Sequence, residues 1–149
     1  MKKISLLFIV ISISAMVQAQ EQLIESRQEV QHTVIKMFDA LSSRDSVSLK
    51  DYCTADIVLF ENGIVWNLDT LIMKGITLNQ ATDFKRINTI DFINTTINEN
   101  TAWTTYHLHS EITRNGKQGF VQWMETVVLV RDKKRWKIKV LHSTLIKRN

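Results

Sequence analysis

The chain has 149 residues, of which 44% are hydrophobic and 23% charged, with four glycines and no proline. This composition is typical of one globular domain and excludes a collagen-like chain, a low-complexity disordered chain and a two-domain enzyme. The net charge is +4, and residues 131–149 hold eight basic residues against one acidic residue. Aromatic residues do not interleave with these cations as stacking platforms, so we predict a solvated strand face and no nucleic-acid partner.

The first nineteen residues have the pattern of a secretion signal. Two lysines precede an apolar run over residues 4–17, and Val17-Gln18-Ala19 places small residues where signal peptidase inspects them. The run is shorter than the roughly 20 residues that a membrane-spanning helix needs. We therefore expect residues 1–19 to be a signal peptide, cleavage after Ala19, and a periplasmic or secreted mature protein without a membrane span.

The mature chain begins with two predicted helices. Apolar residues recur at three- and four-residue steps from Glu21 to Leu41, which predicts an amphipathic helix of about five turns. Ser43 or Asp45 offers the N-cap of a second, shorter helix, with Val47 and Leu49 on its inner side. The chain therefore opens as a helical hairpin.

The rest of the chain is rich in β-forming residues. Two short strands are predicted at Asp56–Phe60 and Ile64–Leu68, and Asp69 is a plausible cap for one helical turn. From Lys85 onward the β-propensity is broken only at 98–100, at Asn115-Gly116 and at 132–134. Asn-Gly favours the type I′ turn of a β-hairpin, so four long antiparallel strands joined by three hairpins follow.

This order of elements predicts an α+β fold. N-terminal helices packed over a highly curved antiparallel β-sheet form a cone-shaped barrel, because the long helix must cover one face of the sheet. The space that they enclose is the default ligand site.

Strand alternation predicts which side chains share this cavity. In the last strand Trp136, Val140 and His142 lie on one face, and two lysines on the opposite face mark it as solvated. If Lys133-Lys134 forms a two-residue loop, Glu125 lies opposite His142. A carboxylate then faces an imidazole inside a largely apolar cone.

The other two hairpins place further side chains beside Glu125 and His142. A turn at Asn115-Gly116 places Tyr106 opposite Glu125, and a turn at Glu99-Asn100 places Asp91 one layer away. As a catalytic set, Glu125 and His142 would act as acid and base while Tyr106 donates a hydrogen bond. Alternatively, the three side chains form a buried network that only satisfies itself. The predicted ligand-binding residues are Trp123, Trp136, Asp91, Val140 and Trp66.

The remaining histidines do not predict a metal or cofactor site. His107, His109 and Glu111 form a His-x-His-x-Glu pattern, but the spacing is loose, no fourth ligand is evident, and the register turns them outward. We predict no cofactor. Trp103 and Met124 fall on the convex face of the sheet, where apolar side chains without a covering helix favour a homodimer interface.

Three segments together resemble a known family. They are Glu61-Asn62-Gly63-Ile64-Val65-Trp66, the strand from Trp123 to Leu129, and Trp136-Lys137-Ile138 running into His142-Ser143-Thr144. With the helical hairpin before them, they resemble a SnoaL-like member of the nuclear transport factor 2-like superfamily over residues 20–149. The resemblance implies a cone-shaped fold, frequent homodimers and an internal pocket, in relatives that range from isomerases and dehydratases to non-catalytic association domains. His142 matches a histidine of the family's final strand, whereas Val140 stands where relatives often have a second histidine.

Three functions remain open on the sequence. The first is an exported protein that binds a small apolar or amphipathic molecule in the cone. The second is a lyase, isomerase or hydrolase that uses Glu125 and His142. The third is a non-catalytic homodimeric interaction module that acts through its convex face.

Overall fold

The structure is a computed structural model that describes residues 2–149, with the side chains of residue 18 and residues 20–149. Apart from residue 18, the side chains of the predicted signal peptide therefore lie outside the described part. In this part of the chain no helix is both long and apolar enough to cross a membrane. The elements in chain order are α1 (Lys2–Ser43), α2 (Ser46–Tyr52), β1 (Cys53–Glu61), β2 (Ile64–Trp66), α3 (Leu68–Ile72), a π-helical turn (Met73–Thr77), β3 (Lys85–Asn98), β4 (Thr101–Arg114), β5 (Lys117–Asp132) and β6 (Arg135–Arg148).

Helix α1 packs on the sheet through the apolar stripe that its sequence predicts. Val30, Val34, Met37, Phe38 and Leu41 are all at most 4% exposed. Their three- and four-residue spacing places them on one side of the helix. Burying a side chain of this size contributes roughly 1.5–3 kcal/mol, so this stripe holds the helix against the concave face.

The two short helices are capped by side chains just before them. Asp45 Oδ1 accepts hydrogen bonds from the Val47 and Ser48 amides, each at 3.0 Å, as the sequence predicts for α2. Leu49 is buried, but Val47 is 76% exposed, because two residues along a helix turn the side chain to the opposite side. The cap of α3 is Asn67 rather than Asp69, which lies in its first turn.

The sheet has six strands in the order β2-β1-β6-β5-β4-β3. The last four strands form the predicted antiparallel meander. The sheet is mixed rather than wholly antiparallel, because β1 runs parallel to β6. β2 and β3 remain as edges, so the cone is an open curved sheet rather than a closed barrel.

The hairpin between β4 and β5 has the predicted register. Tyr106 pairs with Glu125 and Leu108 with Trp123, without a shift along the whole pair of strands. Asn115 and Gly116 have φ values of 52° and 69°, which is the left-handed geometry that a type I′ turn requires.

The predicted register of β3 is right from Asn94 to the hairpin turn and wrong in the earlier part of the strand, from Lys85 to Phe92. A bulge at Ile93 inserts one residue, so Asn94 pairs with Thr105 and Phe92 pairs with Tyr106. Asp91 pairs with His107 and not with Leu108. One inserted residue reverses the facing of all side chains on the far side of the bulge from the hairpin turn. Asp91 is one of them and therefore lies on the convex face.

A second bulge, at Lys139, changes the register of β6. Leu129 pairs with Ile138 as predicted, but the next pair is Val128 with Val140. Glu125 therefore pairs with Ser143, and His142 and Val140 turn to the convex face. Bulges of this kind bend long strands and increase their twist, which suits a sheet that curves around α1.

Candidate functional site

A cavity of about 910 Å³ lies between the concave face of the sheet, α1 and the segment from α3 to Asn79. This volume is within the range of small-molecule sites in proteins. Much of its wall is apolar, and it includes Phe38, Leu41, Leu59, Leu71, Leu108 and Trp123.

Glu125 is the buried carboxyl group of this cavity. It lines the cavity and is only 4% exposed. The Ser143 hydroxyl donates a hydrogen bond of 2.7 Å to Glu125 Oε1. Tyr106, fully buried on the neighbouring strand, packs its ring edge-on against Phe38 and Phe92, with centroids 6.2 Å and 5.6 Å apart. The aromatic packing fixes the tyrosine beside the carboxyl group.

Burial is the main cause of an unusual pKa at Glu125. It raises the pKa of the carboxyl group from 4.5 to about 7, against the lowering effect of the Ser143 hydrogen bond and of the nearby Tyr106 hydroxyl. The charge of Glu61 raises this pKa further, and the charge of Arg86 lowers it. Burial and then the charge of Glu125 also raise the pKa of Tyr106 well above its ordinary value. Near neutral pH the tyrosine is thus a neutral donor, and the carboxyl group exchanges protons readily.

Arg86 brings a half-buried positive charge to the same wall. Its Nε donates to Asn88 Oδ1 at 2.9 Å, and its Nη2 donates to Ser110 Oγ at 3.1 Å. The guanidinium carbon lies 5.6 Å from the ring centroid of Phe38 and 5.8 Å from that of Trp123. Burial lowers the pKa of Arg86, while electrostatic interactions, first with Glu125 and then with Glu61, raise it. No carboxylate oxygen of the described residues lies within 4.0 Å of this guanidinium.

Several polar atoms at the cavity have no partner among the described residues. They are the indole nitrogens of Trp66 and Trp123 and Oε2 of Glu125, all on residues that line the cavity. The hydroxyl oxygen of Tyr106 is also without a partner of hydrogen-bonding geometry in this part of the chain. Because buried polar atoms are nearly always hydrogen-bonded, a cluster of exceptions in one place is typical of a site that receives water or a ligand.

The mouth of the cavity is basic. Lys74, Arg114, Lys117 and Arg148 line it, and the Lys74 ammonium lies 5.4 Å from the ring centroid of Trp66. Near the mouth, the Asp83 carboxylate accepts hydrogen bonds from the Asn115 and Gly116 amides, at 2.7 Å and 2.6 Å. This pair of bonds ties the segment before β3 to the tip of the β4–β5 hairpin.

The predicted site residues divide into two groups. The structure brings Glu125, Trp123 and Trp66 to the cavity wall, with Tyr106 directly behind. Trp136 is buried at 4% exposure but is not part of the cavity lining, and the Arg131 guanidinium covers its ring at 4.6 Å.

The other three lie outside the cavity because of the bulges. The Asp91 carboxylate lies 3.3 Å from His109 Nε2 on the convex face. His142 is exposed beside Phe60, with ring centroids 6.1 Å apart, and Val140 lies on the same face. The predicted pairing of Glu125 with His142 is therefore wrong, and Ser143 occupies the place that the sequence assigned to the imidazole.

Three concave-face residues were not among the predicted site residues: Arg86, Ser110 and Ser143. The two bulges bring Arg86 and Ser143 to this face, whereas Ser110 follows the predicted alternation of Tyr106 and Leu108 along β4. A usable pattern exists for Arg86, since it alternates with Asn88, Ile90 and Phe92 and would stand out as the one charge on that face. No three His, Cys, Asp or Glu side chains of the described residues are grouped as metal ligands.

Residues 30–146 match the SnoaL-like domain family. A comparison with curated proteins finds no match. Among solved structures, the CamKII hub homology domain of Chlamydomonas reinhardtii is similar with a TM-score of 0.72 and 20% identity, over 82% of this chain and 99% of that chain.

A nuclear transport factor 2-like protein from Cytophaga hutchinsonii has a TM-score of 0.69 and 15% identity, over 80% of this chain and 98% of its own. A ketosteroid isomerase-like protein from Erwinia carotovora has a TM-score of 0.65 and 16% identity, over 83% and 98%. At these identities the solved structures establish the fold alone. The family match covers most of the chain, which therefore belongs to the SnoaL-like domain family.

Proposed function

We propose that this protein binds a small amphipathic molecule in the cone. The observation that carries the proposal is a cavity of about 910 Å³ that is lined by Trp66, Trp123 and Glu125, each with a buried polar atom that has no partner among the described residues. An apolar body would be held by dispersion and burial, while the polar atoms would orient it. A packed core would leave neither the space nor the unpartnered atoms.

Binding of the neutral dye Nile red, followed by its fluorescence, tests this proposal. Ile112→Trp places a larger side chain on the cavity wall, whereas Thr113→Trp makes the same change on the neighbouring residue, which faces the convex side. We expect the dye to bind the unchanged protein and Thr113→Trp alike, and Ile112→Trp to weaken binding at least tenfold. Absence of dye binding, or equal loss in both variants, would contradict a ligand cavity.

An enzyme is the second candidate, and the pKa of Glu125 near 7 favours it. A carboxylate with this pKa is a stronger base than an ordinary one and sits beside a neutral tyrosine donor. His142 has no part in this version, because it lies on the convex face.

Proton abstraction from 5-nitrobenzisoxazole is a direct test of this candidate. Glu125 would take the proton on C3 as the N–O bond breaks and cyanophenolate forms, so the rate should rise with pH to a plateau above about 7. We expect Glu125→Gln to lose the acceleration and Glu111→Gln, an exposed change on the convex face, to keep it. A rate unaffected by Glu125→Gln would rule out this base.

We further propose a homodimer through the convex face. Apolar side chains remain exposed there, including Phe60 at 41%, Ile93 at 54%, Trp103 at 38% and Met124 at 42%. The likeness to a hub homology domain supports self-association. Sedimentation should show a dimer for the unchanged protein and a folded monomer for Trp103→Glu, and a monomeric unchanged protein would contradict the proposal.

Export is proposed on the pattern of residues 1–19 alone. Expression with the intact N-terminus in a bacterial host should yield a periplasmic or secreted protein that begins at Gln20, which mass spectrometry can determine. We expect Ala19→Arg to prevent cleavage at this position. Uncleaved protein confined to the cytoplasm would contradict the proposal.

A further inference from the structure

We propose that the ligand of this cavity is an organic carboxylate, that the Arg86 guanidinium binds its charged end, and that Glu125 takes up a proton when the anion enters. The inference rests on the proposed function, because it names the ligand class of the same cavity.

Arg86 is the first reason. A guanidinium has five N–H donors. Asn88 and Ser110 accept only from Nε and Nη2, and no other side chain of the described residues accepts from Nη1. No carboxylate of the described residues is within ion-pair distance. A half-buried cation without a close counter-charge is partly desolvated, and a carboxylate that accepts two parallel N–H bonds would offset that cost.

The guanidinium is also held in place before any ligand arrives. Its carbon lies within 6 Å of the ring centroids of Phe38 and Trp123, at 5.6 Å and 5.8 Å, and Asn88 Oδ1 accepts a hydrogen bond from its Nε. Asn88 itself donates to Ser42 Oγ at 2.8 Å, which connects the network to α1. Such preorganisation reduces the entropy that binding would otherwise cost.

The charge around the cavity favours an anion. Five basic residues line it against two acidic ones, Glu61 and Glu125. Four of the basic residues are at the mouth, where they attract an anion toward Arg86: Lys74, Arg114, Lys117 and Arg148.

Glu125 provides the proton coupling. Its charge is the largest electrostatic influence that raises the pKa of Arg86, so the ionised carboxylate partly neutralises the guanidinium. An entering carboxylate would place a second negative charge in the same poorly solvated wall, which is strongly unfavourable unless one group is protonated. Glu125 can take that proton near neutral pH.

The groups that face Glu125 from its surroundings do not change this conclusion. β4 contributes Tyr106, which stays neutral, and β6 contributes the Ser143 hydroxyl. β1 contributes Glu61, whose negative charge favours protonation of Glu125, and β3 contributes Arg86, whose positive charge opposes it. α1 contributes the apolar Met37 and Phe38 to the same cavity, and the π-helical turn contributes Lys74 at the mouth.

Calorimetric titration with 4-phenylbutyrate and with its neutral amide, 4-phenylbutanamide, tests both parts of the proposal. At pH 6 we expect the acid to bind at least tenfold more tightly than the amide. Above pH 7 the affinity for the acid should fall by up to about tenfold per pH unit, while that for the amide stays constant. At pH 8, titration in two buffers of different ionisation enthalpy should show that the acid brings a proton into the complex.

Variants of Arg86 and Glu125 test which side chain binds the carboxylate and which takes up the proton. Arg86→Gln should remove the preference for the acid over the amide, and Arg131→Gln, at a residue that lies over Trp136 outside the cavity, should retain that preference. Glu125→Gln should abolish the pH dependence and the proton uptake. If circular dichroism shows that Arg86→Gln does not fold, Arg86→Lys replaces it and should retain only part of the preference, because Lys lacks the bidentate fork.

The outcomes separate this inference from the proposed function. Equal affinities for acid and amide would overturn the carboxylate proposal and leave ligand binding supported. A preference for the acid without proton uptake or pH dependence would overturn the role of Glu125. Failure of both compounds to bind would contradict the proposed function together with this inference.

Discussion

Glu125 and Ser143 are paired residues on adjacent strands, and the Ser143 hydroxyl donates a 2.7 Å hydrogen bond to Glu125 Oε1 inside the cone. This bond exists only because the bulge at Lys139 turns Ser143 inward and His142 outward. It gives the buried carboxyl group one donor and leaves its second oxygen without a partner among the described residues. The site thus combines a proton-exchanging acid with a nearby fixed cation, Arg86.

The first prediction tests the register around this bond. Ser143→Ala removes a hydrogen bond to a buried carboxyl group, so we expect the free energy of unfolding at pH 8 to fall by about 1–3 kcal/mol. His142→Ala changes an exposed side chain on the next residue and should cost less than about 0.5 kcal/mol. Chemical denaturation measures both values, and a larger cost for His142→Ala would show that the imidazole is the inward group.

A second prediction concerns stability against pH. The folded-state pKa of Glu125 is about 7, above the 4.5 of an exposed glutamic acid, so the folded state binds more protons between these values. The free energy of unfolding therefore falls as pH rises from about 4.5 to 7. At higher pH Glu125 causes no further decrease.

Glu125→Gln removes this loss while keeping an acceptor for Ser143. At pH 8 we expect the variant to be more stable than the unchanged protein by up to about 3 kcal/mol, at 1.36 kcal/mol per pKa unit, and at pH 4 the two should be alike. Thermal unfolding at the two pH values provides the measurement. A variant that is less stable at pH 8 would mean that the carboxylate is ionised and well paired in the fold.

A third prediction concerns the rim of the cavity. Asp83→Ala removes the acceptor of the Asn115 and Gly116 amides, so hydrogen exchange at these two amides should become faster. Asp132→Ala, at the other hairpin of β5, should leave them unchanged. Exchange measured by NMR would decide, and equal protection in all three proteins would show that Asp83 does not tie the rim together.

Local patterns were sufficient to predict much of this fold. Helical periodicity predicted the apolar stripe of α1, Asp45 is one of the two predicted caps of α2, and Asn115-Gly116 fixed the register of Tyr106 against Glu125. These features depend on residues that are close together in the chain, so a single sequence is sufficient to predict them.

The positions of the two bulges were not predictable in the same way. Ile93 and Lys139 have no turn-forming character, and their bulges arise where long strands bend around α1. Each bulge reverses the facing of the residues beyond it, which explains why Asp91 and His142 were expected inside and Arg86 and Ser143 were not. The sequence pattern assigns no element to residues 78–84. Leu78, Asn79 and Phe84 of this segment line the cavity, and Arg44 Nη1 donates a hydrogen bond to the Asn79 carbonyl oxygen at 2.7 Å.

Titration of the Glu125 side-chain carboxyl carbon by ¹³C NMR, with and without 4-phenylbutyrate, tests the central claim most directly. We expect a pKa near 7 in the free protein and a higher pKa in the complex. A pKa near that of an exposed glutamic acid, unchanged by the added carboxylate, would contradict a shared cavity of Glu125 and Arg86.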